Sequence, residues 1–108
     1  MAWTVETLND TVDAELSELP ADMLARFRHI SQLIEEFGLE RVREPHVTHL
    51  RGSLWEMRMK GKDGISRALY ITAVGRRVVV VRVFIKKTRK TPNREIELAL
   101  KRAKEISQ

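Results

Sequence analysis

Hydrophobic residues in the first 38 positions recur mainly at helical spacing. A short stretch from Trp3 to Leu8 alternates apolar and polar residues and predicts an edge strand. From Thr11 the apolar residues stand three or four positions apart, which predicts a helix, and Pro20 separates it from a longer second helix. Gly38 follows the last residue of that pattern and is typical of a C-terminal cap. The first part of the chain is therefore predicted to form a strand and two helices.

The second part of the chain is dominated by β-like runs. Leu54–Met59, Ile65–Val74 and Arg77–Ile85 are separated by short glycine-containing turns. Leu39–Ser53 has no sustained period and is predicted to be a connecting loop with short extended pieces. Helical spacing returns from Thr91 to Ile106. The order β-α-α-β-β-β-α predicts an α+β fold in which helices pack on one face of a small antiparallel sheet.

Length and composition limit the class of protein. A chain of 108 residues with 43% hydrophobic and 32% charged residues predicts a single folded domain spanning 1–108. The chain has no cysteine, so disulfide bonds and thiolate metal sites are excluded. Its longest purely apolar run, Val78–Val81, is too short to span a membrane, and the first residues lack the features of a signal peptide. We therefore expect a cytoplasmic location and no membrane partner.

Charge is distributed unevenly along the sequence. Residues 1–40 carry a net charge of −7, residues 41–75 carry +4 and residues 76–108 carry +8, which together give the total of +5. A basic half of this kind is expected of a protein that binds a polyanion or an acidic protein. The alternative is that the acidic and basic parts pack beside one another and partly neutralise each other.

Four cations lie close together between the last predicted strand and the last predicted helix. They are Lys86, Lys87, Arg89 and Lys90, and Thr91 is the predicted N-cap of the helix that follows. Cations beside the N-terminus of a helix favour phosphate, because the backbone N–H groups there are also unpaired. The alternative is an exposed basic turn that contributes only to solubility.

Cations and aromatic rings also occur within the predicted strands. Arg58, Arg67 and Arg82 can share one face of an antiparallel sheet, on which Trp55 or Tyr70 would supply a stacking ring. Arginine beside aromatic rings is the combination that holds single-stranded RNA through phosphate contacts and base stacking. The alternative for each aromatic residue is packing in the core.

The remaining candidates for chemistry are two histidines and one glutamate. His46 and His49 have no acidic or cysteine residues nearby to complete a zinc site, so no metal site is predicted. Either histidine could carry a proton, because the unperturbed histidine pKa is about 6.5. Glu56 could equally be the internal partner of Arg58 or Arg67, which is the alternative to RNA binding by these arginines.

Several separated motifs give the sequence a family resemblance between about Leu19 and Ile106. These motifs are Leu50–Arg58 (LRGSLWEMR), Arg67–Tyr70 (RALY), Phe84–Pro92 (FIKKTRKTP), Glu95-Ile96 and Ala99. In this combination and order the chain resembles the HigB-like, phage-derived branch of the RelE/ParE toxin superfamily. The predicted order of strands and helices agrees with the RelE-like fold of that superfamily.

The resemblance implies the toxin of a bacterial type II toxin–antitoxin system, neutralised by a cognate antitoxin that often carries a helix-turn-helix domain. It further implies a ribosome-dependent mRNA endonuclease that uses no cofactor or metal and inhibits translation. A ParE-like inhibitor of DNA gyrase and a non-catalytic, basic nucleic-acid- or protein-binding domain are the alternatives.

The resemblance also implies roles for individual residues. Arg58 and Arg67 would hold the scissile phosphate, Lys86 and Lys87 would add positive charge, and Tyr70 would position a base or a hydroxyl group. Further RNA contacts are expected from a set of residues on the strands and in the basic run: Arg82, Arg89, Lys90, Thr91 and Trp55. The group that moves the proton stays open between a lysine of the basic run and the two histidines, His46 and His49.

Overall fold

The computed structural model describes residues 2–86 and 89–106. Within these ranges the chain forms five strands, three α-helices and one 3-10 turn. In chain order they are β1 (Thr4–Thr7), α1 (Asp10–Ser17), α2 (Ala21–Phe37), the 3-10 turn (Leu39–Arg41), β2 (Val47–Arg51), β3 (Leu54–Gly61), β4 (Gly64–Ala73), β5 (Arg77–Lys86) and α3 (Asn93–Ala103). No helix in these ranges is both long enough and apolar enough to cross a membrane.

The five strands form one mixed sheet with the order β1-β5-β4-β3-β2. Strands β2 to β5 are antiparallel neighbours, whereas β1 pairs with β5 in parallel. A parallel pair needs a long connection that crosses the sheet, and the connection from β1 begins with α1 and α2. The α+β class is confirmed, and two details are corrected: the sheet is not purely antiparallel, and β2 lies in the predicted loop. Only Val47 of β2 is buried, so this short strand has little of the alternation that identifies strands.

The sheet is covered on both faces, which corrects the prediction that all helices pack on one face. Helices α1 and α2 cover a core that includes Met57, Met59 and Tyr70, whereas α3 packs through Ile96 and Ala99 onto the opposite face. We call these the α2 face and the α3 face. On the α3 face, buried apolar residues of the strands form a second core cluster with α3: Leu54, Leu69, Ile71 and Val81. A sheet with two apolar faces needs a cover on each.

The helix boundaries agree with the predicted capping signals to within a residue or two. Gly38 ends α2 with φ of 90°, a conformation that glycine adopts easily, and its N–H donates to Ile34 O. Pro20 and Pro92 occupy the N-cap positions of α2 and α3. Thr91 therefore precedes the cap of α3, and its hydroxyl is available for another contact. Helix α3 has only 11 residues and leaves part of its face of the sheet uncovered.

Candidate nucleic-acid interface

Strand register brings three of the predicted cations to the uncovered part of the α3 face. Arg58 on β3 lies directly opposite Arg67 on β4, and Arg67 lies opposite Phe84 on β5. Lys86 is two residues beyond Phe84, so it is on the same face of the sheet. We call Arg58, Arg67 and Lys86 the basic site.

Glu56 lies at the base of the basic site and is almost completely buried, with 1% of its surface exposed. Its carboxylate forms an ion pair with Nη1 of Arg67, which is itself 4% exposed, and its Oε2 is 3.6 Å from Nε of Arg58. The hydroxyl of Thr91 donates to Glu56 Oε1 at 2.6 Å. Glu56 therefore joins both arginines to the segment that leads into α3. Its two-residue spacing from Arg58 on one strand is the sequence signal for this contact.

The positive charges of the basic site exceed the charge of this single carboxylate. The pKa of Lys86 is lowered from its usual value, first by burial and then by the charges of Arg67, Arg58 and Arg89. Burial also lowers the pKa of Arg67, but an arginine stays charged under physiological conditions. The site therefore combines fixed positive charge with an amine that loses its proton more readily than an ordinary lysine.

Both arginines of the site carry an unsatisfied hydrogen-bond donor. The Nε atoms of Arg58 and Arg67 are buried and have no hydrogen-bond partner in the described part of the chain. A buried donor without an acceptor costs free energy, and a phosphate oxygen is a strong acceptor for a guanidinium group. The chemistry of the site is therefore suited to an oxyanion.

The residues between β5 and α3 differ in their surroundings. Arg89 and Lys90 are exposed, and Arg89 lies near enough to Lys86 to affect its pKa. Thr91 is committed to Glu56. Lys87, which was predicted to add positive charge, lies outside the described residues.

Arg82 also lies on the α3 face, but its guanidinium group is held by two carboxylates. Its Nε donates to Glu95 Oε1 at 2.7 Å, and its Nη1 lies 2.8 Å from Glu15 Oε2. These hydrogen bonds, led by the one to Glu95, raise the pKa of Arg82. The structure gives Arg82 a role in joining α1 and α3 to β5, and its predicted RNA contact stays a prediction.

Trp55 and Tyr70 do not lie on the same face of the sheet as the basic site. They face each other across β3 and β4 on the α2 face, three residues away from Arg58 and Arg67 respectively. Tyr70 is 1% exposed and belongs to the core, and burial raises the pKa of its hydroxyl. A role for Tyr70 in positioning a base beside Arg58 is incompatible with this placement. Trp55 is 38% exposed and lies against His49 with ring centroids 5.0 Å apart.

The two candidate histidines lie in different places, one beside the basic site and the other on the α2 face. The backbone oxygen of His46 accepts from Arg58 N at 2.9 Å, and the two side chains line a common hollow with Lys60. His49 instead pairs with Trp55 on the α2 face, and its Nε2 donates to Gly52 O at 2.7 Å. Of the two, only His46 lies beside the basic site. Within residues 2–86 and 89–106, no three histidine or acidic side chains converge as ligands for a metal ion.

Comparison with solved structures defines the class of fold. A double arginine mutant of the E. coli toxin RelE in its free state has a TM-score of 0.67 at 17% sequence identity, covering 94% of this chain and 98% of that chain. The archaeal RelE–RelB complex from Pyrococcus horikoshii OT3 gives a TM-score of 0.57 at 21% identity, covering 81% of this chain and 98% of that chain. The chain therefore has the fold of RelE, as predicted.

The sequence comparison places the chain within one family. Residues 14–104 match the family model described as phage derived protein Gp49-like (DUF891). Because this match covers most of the sequence, the protein belongs to that family. A search of curated proteins found no match. The predicted phage-derived branch is confirmed at the level of family and fold.

Proposed function

We propose that this protein is the toxin of a type II toxin–antitoxin system and cleaves mRNA on the ribosome. The observation that carries the proposal is the convergence of Arg58 and Arg67 on the buried carboxylate of Glu56, with Lys86 on the same face of the sheet. The RelE fold and the Gp49-like family support the assignment to a toxin. An antitoxin partner is supported by the similar archaeal RelE, which was solved as a complex with RelB.

The proposed reaction is attack of a ribose 2′-hydroxyl on the adjacent phosphate. A bond forms between the 2′-oxygen and phosphorus, and the bond from phosphorus to the 5′-oxygen of the next nucleotide breaks. The products are a 2′,3′-cyclic phosphate and a free 5′-hydroxyl. Negative charge builds on the phosphoryl oxygens, and fixed cations stabilise that charge. Arg58, which is partly exposed, would contact the phosphate directly, while buried Arg67 would act mainly through its electric field.

Two proton transfers accompany this reaction. Lys86 is the proposed acceptor for the 2′-hydroxyl proton, because its lowered pKa increases the neutral fraction that can accept one. His46 is the proposed donor to the leaving 5′-oxygen, since it lies beside Arg58. A lysine acceptor and a histidine donor complete the reaction without a metal ion.

The test is induction of the protein in a bacterium, followed by mapping of mRNA 5′ ends. The wild type is compared with an Arg58→Ala/Lys86→Ala variant and with an Arg28→Ala/Lys101→Ala control, which removes two exposed cations elsewhere. We expect cleavage in phase with codons for the wild type and the control, and none for the site variant. Growth arrest with intact mRNA and accumulated gyrase–DNA breaks would instead identify a gyrase inhibitor and overturn the proposal.

A further inference from the structure

A cavity on the α2 face contains the aromatic residues that are absent from the basic site. It has a volume of about 530 Å³, within the range of small-molecule sites, and lies beneath the segment that joins α2 to β2. Trp3, Trp55, Tyr70 and His49 form its aromatic lining. Its size and planar walls suit a flat ring system.

One residue of the cavity lining carries a buried polar atom with unused hydrogen-bonding capacity. Nε1 of Trp3 has no hydrogen-bond partner among residues 2–86 and 89–106. An indole N–H can only donate. A ligand that offers an acceptor atom inside the cavity would remove the cost of leaving this N–H unpaired.

The charged residues of the cavity distinguish it from the basic site. Glu40, Glu44 and Arg43 contribute a net charge of −1, so an anionic group such as phosphate is disfavoured there. Carboxylates accept hydrogen bonds from the amino and imino groups of nucleobases. A neutral base offers such donors together with acceptor atoms on one planar edge, and its ring faces can pack against aromatic side chains.

Neighbouring hollows lie between this cavity and the basic site. The cavity shares Val42, Arg43 and Glu44 with a second hollow, which in turn shares Pro45 and His46 with a third. The third hollow is also lined by Arg58 of the basic site. A single strand could therefore follow residues 42–46, with its phosphate at one end and an unstacked base at the other.

We propose that this cavity binds one unstacked nucleobase of the RNA strand whose phosphate occupies the basic site. The identity of the strand rests on the proposed endonuclease function, whereas the recognition of a neutral base follows from the cavity itself. The cavity then contributes to the choice of cleavage position by accepting some bases better than others. Trp55 keeps a role in RNA binding, at a place separate from the arginines.

The chain offers a direct reporter for this cavity, because both of its tryptophans, Trp3 and Trp55, line it. Adenosine, guanosine, cytidine and uridine are titrated separately into the Arg58→Ala/Lys86→Ala protein, whose phosphate-binding cations are removed. We expect a saturable change in tryptophan emission with at least one nucleoside, together with a shift of the Trp3 indole N–H resonance.

Variants at the rim of the cavity make the test specific. Glu40→Gln/Glu44→Gln should weaken nucleoside binding by about tenfold, as expected for lost hydrogen bonds to charged acceptors. Glu36→Gln is the control, because it removes an exposed charge that does not line the cavity. Equal binding by the rim variant and the control would overturn the proposal.

The remaining outcomes separate this inference from the proposed function. If no nucleoside changes the tryptophan signals while codon-phased cleavage occurs in cells, the base cavity is wrong and the endonuclease proposal stands. If nucleosides bind and mRNA stays intact, the endonuclease proposal fails and base recognition stands. Tryptophan signals that respond to the cognate antitoxin but to no nucleoside would make the cavity a partner-binding site and overturn the inference.

Discussion

At the scale of single residues, Glu56 connects the stability of the fold to the chemistry of the basic site. It is buried against Arg67, so replacing it by alanine leaves a buried guanidinium group without its partner. Removing one member of a buried ion pair costs about 3–5 kcal/mol. We therefore expect Glu56→Ala to lower the free energy of unfolding by about that amount in a denaturant titration.

The exposed Glu97 of α3 provides the matched control for this measurement. Glu97→Ala should change the free energy of unfolding by no more than about 0.5 kcal/mol. Glu56→Gln keeps an acceptor for Thr91 and should be less destabilising than Glu56→Ala. If Glu56→Ala is as stable as Glu97→Ala, the carboxylate does not hold Arg67 in solution.

The pKa of Lys86 leads to a prediction about pH. Lys86 can accept a proton only in its neutral form, whose fraction grows as pH rises towards its pKa, so the rate of the proposed cleavage should rise with pH. Arg89 contributes to lowering that pKa. Arg89→Gln should therefore raise the pKa and move the rising limb of the pH–rate profile towards higher pH.

Single-turnover cleavage on purified ribosome complexes, measured across pH, tests this expectation. Arg94→Gln removes a neighbouring exposed cation of α3 that does not contribute to the pKa shift of Lys86. It should leave the profile in place. A profile that moves equally in both variants would show that general surface charge, and not the contact with Lys86, sets the pH dependence.

The spacing of the site residues along the strands already indicates which of them share a face of the sheet. The prediction that the aromatic residues lie beside the arginines did not use this spacing. Arg58 and Arg67 meet because a short turn fixes the register of β3 and β4. Trp55 and Tyr70 each stand three positions from one of these arginines. An odd spacing on a strand directs side chains to opposite faces, so their separation from the basic site was predictable. The ion partners of Arg82 were not, because Glu15 is distant in sequence.

At the scale of secondary-structure elements, Glu15 joins α1, α3 and the edge of β5. Its carboxylate accepts from Val83 N at 3.0 Å, lies 2.8 Å from Nη1 of Arg82 and lies 2.9 Å from Nη1 of Arg102. Hydrogen bonds to a charged group contribute about 1.5–3 kcal/mol each. Glu15→Ala should therefore lower the free energy of unfolding by at least about 1.5–3 kcal/mol.

Hydrogen exchange at Val83 distinguishes this role from a general effect on α1. We expect faster exchange of the Val83 amide in Glu15→Ala, because its acceptor is removed. Glu18→Ala changes an exposed acidic residue at the end of the same helix and should leave that amide protected. Unchanged exchange in Glu15→Ala would show that another group covers the edge of β5.

The elements differ in how far their placement could be predicted. Strands β3 to β5 were close to their observed bounds because their apolar runs end at glycine-containing turns. The position of α3 on the opposite face was missed, although the uninterrupted run Val78–Val81 is the pattern of a strand buried on both sides. Strand β2 has no comparable signal, since its pairing with β3 depends on partners that its own sequence does not specify.

At the scale of the whole molecule, part of the opposite charge along the chain is neutralised internally. Glu6 lies 2.7 Å from Arg77, and Glu15 pairs with Arg82 and Arg102, so the acidic first third contacts the basic last third. This arrangement supports the alternative that the two parts pack beside one another. The basic site is less neutralised: in the part of the chain that the structure describes, Glu56 is the carboxylate that pairs with its arginines.

The affinity of the proposed antitoxin complex should consequently depend on salt through the basic site more than through net charge. We expect its affinity to fall as the salt concentration rises from about 50 mM to about 500 mM, since screening weakens contacts between exposed charges. Arg58→Ala/Lys86→Ala should reduce that dependence, whereas Arg77→Ala, which removes a cation already paired with Glu6, should leave it nearly unchanged. Titration calorimetry at salt concentrations across this range measures the affinity of each variant and tests the prediction. An affinity that does not change with salt would mean that apolar contacts dominate the complex and that the basic site is reserved for RNA.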